Sequence, residues 1–374
     1  MHILLVTSAY KSKFNPVNAL FFRDQAKALR KGGNQVGLIC ALPISLKTVM
    51  KEKEIKFSKE HYNDEGVDTL VKPFLAIPKT PNRTKRKRFR IAKQLFIEYI
   101  DKFGLPDIIH VHTFLAGELG LWVKQQYAVP YIVTEHSTNF ARGNLSQSQL
   151  KFSKHVFENS KTNIAVSKEF CSLLEQQTHC KFQYVPNVVD TSFFKPSRKM
   201  KSAEQFIFLN VAHLDAKKNQ AGLVKCFAEK FAGNNMYKLI VAGDGPEKEN
   251  LQALIDKLKV CDQVVLFGRA SREEVLSLMQ KSNCFVLPSH HETFGVVLIE
   301  AMACGLPVLS TKSGGPESII TSNEYGFLCE ENELSNMLEQ MVIKDFDYVE
   351  IRRYVQNSFS ENAVRQKLEL IYRE

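Results

Sequence analysis

The stretch PSHHETFGVVLIEAMACGLPVLSTKSGGPESI, residues 288–319, decides the fold class. It begins where an apolar strand, NCFVLP (283–288), ends. A turn carrying His290, His291, Glu292 and Thr293 follows, and a helix is expected from about Gly295 to Cys304. Gly305 and Pro307 end that helix, and LPVLS (306–310) is the next strand. A strand, a short turn, a helix and a second short apolar strand make the βαβ unit of a parallel sheet. The helix start at 294–296 offers unbonded backbone N–H groups beside a flexible glycine, a site for an anion or a hydroxyl. Glu292 sits just before it. Glu300 lies eight residues further on, among Val296, Val297, Leu298, Ile299, Ala301, Met302 and Ala303. Burying a carboxylate in so apolar a helix is costly unless it is paired, and two sugar hydroxyls would be good donors to it. The plainer alternative is a helix whose single Glu faces solvent.

The same alternation extends in both directions. FIFLNVA (206–212), KLIVAG (238–243) and QVVLFG (263–268) are expected strands, with a capping box of Ser271 and Glu274 before a helix at 272–280. Towards the N-terminus, HILLVT (2–7), QVGLICA (35–41), a strand near 66–77, DIIHVH (107–112), YIVTEH (131–136), NIAVS (163–167) and FQYVP (182–186) alternate with helical stretches. The first helix runs from Asn18 to Lys31 and is stopped by Gly32 and Gly33. Residues 45–65 are rich in Lys and Glu and specify little. Residues 187–205 are polar and aperiodic and read as a linker. The expectation is an α/β protein of two Rossmann-like, doubly wound parallel-sheet domains facing across a cleft. The domains are 1–190 and 191–345, with helices at 346–374, the last capped by Ser360.

Composition narrows the class. The chain has 374 residues, 44% hydrophobic and 24% charged, which excludes disorder, collagen and coiled coil as the dominant class. No stretch approaches ~18 uninterrupted apolar residues, and MHILLVTSAY reads as a first strand rather than a signal peptide. Eight cysteines form no CxxC pair and no zinc spacing, so a reduced cytoplasm and no structural metal are expected. Charge is unevenly spread. Residues 1–195 hold 29 Lys and Arg against 16 Asp and Glu; residues 196–374 hold 21 against 24. The basic first half favours anionic partners.

HETFGVVLIEA (291–301) matches the E-x(7)-E signature of retaining glycosyltransferases of the GT-B fold, and the chain resembles glycosyltransferase family 4. CGLPVLSTKSGGPESI (304–319) resembles the same family's following stretch. The resemblance implies that Glu300 binds the donor ribose and that Glu292 lies beside the donor sugar. It also implies that Thr293, Phe294, Gly295 and Val296 contact donor sugar and phosphate at the helix start. In FLNVAHLDAKKNQAGL (208–223), Lys218 matches the family's diphosphate-gripping Lys, whereas His213 stands where the family has Arg. His lacks the permanent charge and fork of Arg, so the grip is weaker or depends more on pH. AGDGPE (242–247) resembles the G-x-G-P-E turn. Gly243 and Gly245 allow close backbone approach, and Glu247 either touches the nucleotide or favours the helix start. FGRAS (267–271) fits the loop that receives the base, with Arg269 as a candidate. His136, in TEHS, matches a His near the donor sugar. YVPNVVDTSFFKP (184–196) resembles the family's domain junction, and the resemblance implies that 1–190 binds the acceptor, that 191–345 binds the donor, and that the helices at 346–374 pack back on the first domain.

Elsewhere the residues leave alternatives. His110 reads as structural, and His112 as structural or functional. The loop SAYKSKFNPVNALFF (8–22) resembles the acceptor-side loop, with Asn15, Pro16 and Asn18 in place of a Gly-Gly pair. Seven basic residues fall in 83–93, among them Arg83, Lys85, Arg86, Lys87, Arg88 and Arg90. They form a solvated helix face, an acceptor contact, or a contact with an anionic membrane in which Phe89 and Ile91 add a shallow apolar foot. No aromatic interleaving or helix-turn-helix pattern supports nucleic acid.

The expectation is therefore a cytoplasmic enzyme, peripheral on the inner face of the membrane. It would move a hexose-type sugar from a nucleotide-sugar donor to a lipid-linked or polysaccharide acceptor. Glu292, His136 and Lys218 would be catalytic, with no cofactor and no essential metal. A sugar-nucleotide epimerase on the same scaffold and a non-enzymatic protein binding anionic surfaces are the alternatives.

Overall fold

The computed structural model describes residues 1–12, 19–51, 55–76, 81–197 and 205–374. Asn15, Pro16 and Asn18 of the expected acceptor-side loop, and 198–204 of the expected linker, lie outside the described residues. The chain forms two compact units, one of Met1–Val188 with Val364–Glu374, the other of Val189–Ala363.

In the first unit the elements follow in the order β1 (His2–Thr7), α1 (Leu20–Lys31), β2 (Gln35–Ser45), α2 (Leu46–Lys51), β3 (Glu60–Asp64), β4 (Val67–Ala76) and α3 (Pro81–Phe103). Then come β5 (Ile108–His112), α4 (Gly117–Tyr127), β6 (Tyr131–Glu135), α5 (Gln147–Asn159), β7 (Asn163–Ala165), α6 (Lys168–Thr178) and β8 (Gln183–Tyr184). The sheet order is β3-β4-β2-β1-β5-β6-β7-β8. β1 and β5 are apolar runs buried along their whole length, as a parallel sheet covered on both faces requires. α1 ends at Gly32, whose N–H is donated to the carbonyls of Ala28 and Leu29. β3 is antiparallel to β4 and was not legible in the charged stretch 45–65. A two-residue turn of Glu65 and Gly66, both at positive φ, joins them, with Gly66 N–H donated to Asn63 Oδ1 at 2.7 Å. The polar, alternately exposed strand suits a sheet edge.

The second unit runs β9 (Phe206–Val211), α7 (Gln220–Phe231), β10 (Tyr237–Ala242), α8 (Lys248–Leu258), β11 (Val264–Gly268), α9 (Arg272–Lys281) and β12 (Cys284–Leu287). It continues with α10 (Val296–Ala303), β13 (Val308–Thr311), β14 (Gly326–Cys329), α11 (Leu334–Ile343) and α12 (Tyr348–Ser358). All pairings in its sheet, ordered β11-β10-β9-β12-β13-β14, are parallel. The capping box at Ser271 forms as expected, with Glu274 N–H donated to Ser271 Oγ and Ser271 N–H to Glu274 Oε2. β14 escaped the sequence reading because its four residues, GFLC, show no period-two alternation.

The C-terminal stretch does not behave as one piece from residue 346. α12 stays with the second unit: the Arg352 guanidinium donates to the carbonyls of Thr191, Phe194 and Ala303. Only from Val364 does α13 (Glu361–Arg373) join the first unit. Val364, Leu368, Ile371 and Tyr372 recur at helical spacing and bury in that unit's core. Ser360 Oγ accepts from Ala363 N–H at the helix start, as expected.

Candidate functional site

The order in which successive strands are added reverses in the second sheet at β9, which has β10 on one side and β12 on the other. Ligands of open α/β sheets bind at the carboxyl ends of the strands flanking such a switch point. The loops that leave β9 and β12 there carry Lys218 and Glu292. Lys218 Nζ lies 2.5 Å from Glu292 Oε1, joining the two loops across the switch point. Ser289 Oγ donates to the same carboxylate oxygen at 2.8 Å. Both charged side chains are largely enclosed, so their attraction is screened less than at a surface.

Each arm is built from its own sequence. After β9, Asp215 accepts from Lys217 N–H, and Lys218 N–H is donated to the Asp215 carbonyl, forming a 3₁₀ turn over Ala216–Lys218. Asn219 then takes a left-handed conformation and caps α7 through Oδ1 and Gly222 N–H. After β12, Glu292 N–H is donated to Ser313 carbonyl, and His290 N–H to Lys217 carbonyl. Phe294 is buried against Phe359, and Gly315 packs against its backbone, where a Cβ would come within 2.3 Å of Phe294 N. Gly295 stands at N-cap with φ 97° and brings no capping side chain, so α10 begins uncapped, with Leu298 N–H donated to the Gly295 carbonyl. Thr293 and Val296 are half-buried beside it, and Glu300 is half-buried one turn further into α10.

The neighbouring turn packs backbone to backbone. Gly243 N–H is donated to Gly268 carbonyl, and Leu214 N–H to Asp244 carbonyl. A Cβ on Gly243 would come within 1.9 Å of Ala212 O, and one on Gly245 within 2.2 Å of Leu214 O. The two glycines are therefore what lets the loops after β9 and β10 close on each other. Glu247 is the N-cap residue of α8 and accepts from Asn250 Nδ2 through Oε2. His213 and Arg269 are exposed on the same rim. His213, Lys218, Gly243, Gly245, Glu247, Arg269, Glu292, Thr293, Phe294, Gly295, Val296 and Glu300 thus all belong to one sheet's carboxyl end or to the helix leaving it.

Three polar groups in this unit were missed from sequence. Ser289 carries the Glu292 contact. Asn210, fully buried in β9, donates Nδ2 to Val286 carbonyl and leaves Oδ1 without a partner. Ser313 Oγ is likewise buried without one. Lone Ser and Asn residues at strand ends carry no spacing signal.

The first unit has a histidine cluster at the ends of β5 and β6. His110 is fully buried; its Nδ1 lies 2.7 Å from Tyr372 Oη and its Nε2 2.7 Å from Thr134 Oγ1, so it is structural. His112 stacks on His110, and its Nδ1 lies 3.1 Å from His136 Nε2. His136 also packs against the rings of Phe21 and Phe22. Glu135, which sequence reasoning passed over, is buried beneath and accepts N–H bonds from Phe114, His136 and Ser137. It thereby fixes the backbone that presents His136.

Burial pushes His110 down to about 3 and holds His112 and His136 below the ordinary value as well, helped by repulsion among the rings. The folded state then binds fewer protons than the unfolded chain below the ordinary histidine value of ~6.5. Stability is lost as pH falls from there towards the folded values, by about 1.4 kcal/mol per pH unit for each fully buried histidine. Thermal unfolding between pH 6.5 and 4 should show a falling midpoint, with a shallower slope in His110→Gln. Parallel profiles would contradict a neutral, buried His110.

The basic run divides on folding. Arg83, Arg86, Lys87 and Arg90 are exposed along α3. Lys85 and Arg88 are not: Lys85 Nζ lies over the Phe152 ring, and Arg88 is half-buried, with its Nε enclosed and its Nη1 3.4 Å from Leu115 carbonyl. They do not belong to a surface-contacting face, because the 3.6-residue period turns them inward. Ile91 is buried and Phe89 packs edge-on against Trp122, so neither forms an apolar foot. Among the described residues no helix is long and apolar enough to cross a membrane, and no three His, Cys, Asp or Glu side chains converge as a metal site.

Two parallel-sheet units with loop clusters at their strand ends define a GT-B-type α/β protein. The model for glycosyl transferases group 1 matches residues 193–358, and that for Glycosyltransferase Family 4 matches 20–193. The two cover adjoining halves, and the chain belongs to this family of glycosyltransferases. It is 27% identical over 350 residues to a probable sucrose-phosphate synthase of Thermosipho melanesiensis, covering 84% of this chain and 80% of that one. Among solved structures, sucrose-phosphate synthase of Thermosynechococcus elongatus superposes with a TM-score of 0.79 at 21% identity, covering 100% of this chain and 98% of the other. HepE of Anabaena in complex with UDP superposes with a TM-score of 0.75 at 19% identity, covering 99% of each.

Proposed function

We propose that the chain transfers a hexose-type sugar, with retention of configuration, from a nucleoside-diphosphate donor held by the second unit to a lipid-linked or polysaccharide acceptor bound by the first. The observation that carries this reading is the Lys218–Glu292 pair at the switch point, set beside the uncapped start of α10. Such a transfer passes through an oxocarbenium-like sugar with a departing diphosphate. Lys218, His213 and the N–H groups at 294–296 supply positive charge to the leaving group. Glu292 lies where positive charge develops on the sugar and keeps Lys218 oriented. Glu300 accepts from the ribose hydroxyls, Gly243, Gly245 and Glu247 border the nucleotide, and Arg269 borders the base. His136 joins the catalytic set by family resemblance. HepE, which shares the fold, was solved with UDP, in keeping with a nucleotide-sugar donor.

No metal enters this scheme, since the cationic groups belong to the chain itself. The experiment is incubation with UDP- and GDP-hexoses in EDTA, following nucleoside diphosphate release and the anomer of the freed sugar by NMR. Slow hydrolysis of one donor with the anomer retained supports the reading. An inverted anomer contradicts retention, dependence on added metal contradicts the metal-free scheme, and isomerisation without nucleotide release makes the protein an epimerase.

The exposed face of α3 adds a location: the cytoplasmic surface of an anionic membrane, where the cell-surface glycan would be assembled. Basic residues near such a surface contribute about 1 kcal/mol each. Replacing Arg83, Arg86, Lys87 and Arg90 by Gln should cut sedimentation with phosphatidylglycerol liposomes at least tenfold while sparing nucleotide affinity. Unchanged sedimentation would reject the membrane contact.

A further inference from the structure

Thr113 holds a backbone conformation that its own side chain opposes. Its φ is 68° and its ψ 144°. Glu65 also has positive φ, in the β3–β4 turn. So do Ala19, Ala128, His179, Asn219 and Lys259, but each stands at a helix end with ψ between 18° and 40°, inside the ordinary left-handed well. Thr113 lies outside that well, and positive φ in a β-branched residue is a steric outlier. Such residues persist where their surroundings over-determine them, and they cluster at ligand sites. Here the backbone is pinned on both sides. Thr113 N–H is donated to Thr134 carbonyl at 2.8 Å, Thr113 carbonyl accepts from Ala116 N–H at 3.1 Å, and Phe114 N–H is donated to Glu135 Oε2 at 2.8 Å.

Thr113 directly follows β5, and Ser8 directly follows β1. The two strands are neighbours, with Thr7 opposite His112 at the end of their register. The order in which strands are added reverses in the first sheet at β1, which has β2 on one side and β5 on the other. Thr113 and Ser8 therefore stand at this sheet's switch point, the place where ligands of open α/β sheets bind. Thr113 Oγ1 donates to Ser8 Oγ at 2.9 Å and ties the two loops together, as Lys218 and Glu292 do in the second unit. Because Ser8 Oγ accepts that bond, its own proton is directed elsewhere. Thr113 is buried and Ser8 half-buried, so Ser8 is the member of the pair within reach of a ligand. A glycine would make the same turn without strain. What Thr113 adds over a glycine is the hydroxyl that holds Ser8.

We propose that Ser8 hydrogen-bonds the acceptor's attacking hydroxyl, and that Thr113 is a positioning residue whose strained backbone and hydroxyl hold Ser8 Oγ in place. The acceptor assignment rests on the transferase reading; the strained tie between the loops does not. In the transfer the anomeric carbon exchanges its bond to the diphosphate oxygen for one to the acceptor oxygen, and the acceptor's proton passes to the departing diphosphate. Ser8 takes no proton in that step. It donates a hydrogen bond to one lone pair of the acceptor oxygen, leaves the other for bond formation, and so orients an oxygen that would otherwise rotate freely.

Two measurements on the full chain test this. Thr113→Gly and Thr113→Ala lose the same hydroxyl and nearly the same volume, so the order of their Tm values reports the backbone. Thr113→Gly should melt above Thr113→Ala, whereas a position of ordinary φ gives the reverse. A glycine variant that melts at or below the alanine variant overturns the strained tie. The second measurement follows nucleoside diphosphate release from whichever of UDP-hexose and GDP-hexose the wild type consumes, with water or glycerol as the accepting hydroxyl. Its kcat should fall about tenfold or more in Ser8→Ala and in Thr113→Val, the cost of a misaligned reacting group. Donor KM and nucleotide Kd should stay at their wild-type values. Thr113→Ser, which keeps the hydroxyl, should recover most of the rate. Unchanged kcat in Ser8→Ala and Thr113→Val, or a loss carried by donor KM, overturns the acceptor role while leaving the transferase reading intact. A wild type that consumes neither donor overturns the transferase reading and the acceptor role with it; the Tm order still decides the strain.

Discussion

Glu292→Gln should lower kcat/KM for the donor by roughly 10²- to 10³-fold, the range typical of one preorganised charge at a reacting centre. Lys218→Met should fall in the same range. The two effects should not add. The 2.5 Å pair means that each residue orients the other, and Ser289 steadies the carboxylate from its far side. In the double variant the second loss is mostly spent already, so a cycle should show a coupling of about 1–3 kcal/mol. Glu292→Gln keeps shape and the Ser289 bond, so folding should persist, which the Tm checks. Additive losses would mean that Lys218 grips diphosphate independently of Glu292. Full activity in Glu292→Gln would remove it from the catalytic set.

Glu300→Ala should raise the donor KM by about 10- to 100-fold, as loss of hydrogen bonds to a charged acceptor does, with kcat changed far less. The residue stands five positions into α10, among Leu298, Ile299, Ala301, Met302 and Ala303, all buried. In the proposed reading it serves ground-state binding of the nucleotide, remote from the bond that breaks, so its effect belongs in KM. Glu300→Gln retains an acceptor oxygen and should be intermediate. Equal falls in kcat and kcat/KM would place Glu300 at the reacting centre instead.

The scaffold was largely legible because buried parallel strands are short apolar runs, and most of the runs in this chain sit where the strands form. Legibility failed where that signal fails. β3 is a polar edge strand whose existence depends on a turn at Glu65 and Gly66 and on β4 beside it. β14 is four residues long. The division of the C-terminal helices depends on Arg352 reaching three carbonyls far away in sequence. At the site, Glu292, Lys218 and the glycines stood out through the resemblance of their stretches to the family's motifs. Ser289, Asn210, Glu135 and Arg88 did not. Their meaning lies in partners held or lacked across the fold, and in Arg88's case a basic run concealed one inward-facing member among exposed ones.

Calorimetric titration of wild type and Glu300→Ala with UDP and with GDP, in EDTA, tests the central claim most directly. The account predicts saturable binding of one of the two by wild type, without metal, and weakening by about 10-fold or more in the variant. Binding of neither nucleotide, or equal affinity in the variant, would contradict a donor site at the carboxyl end of the second sheet.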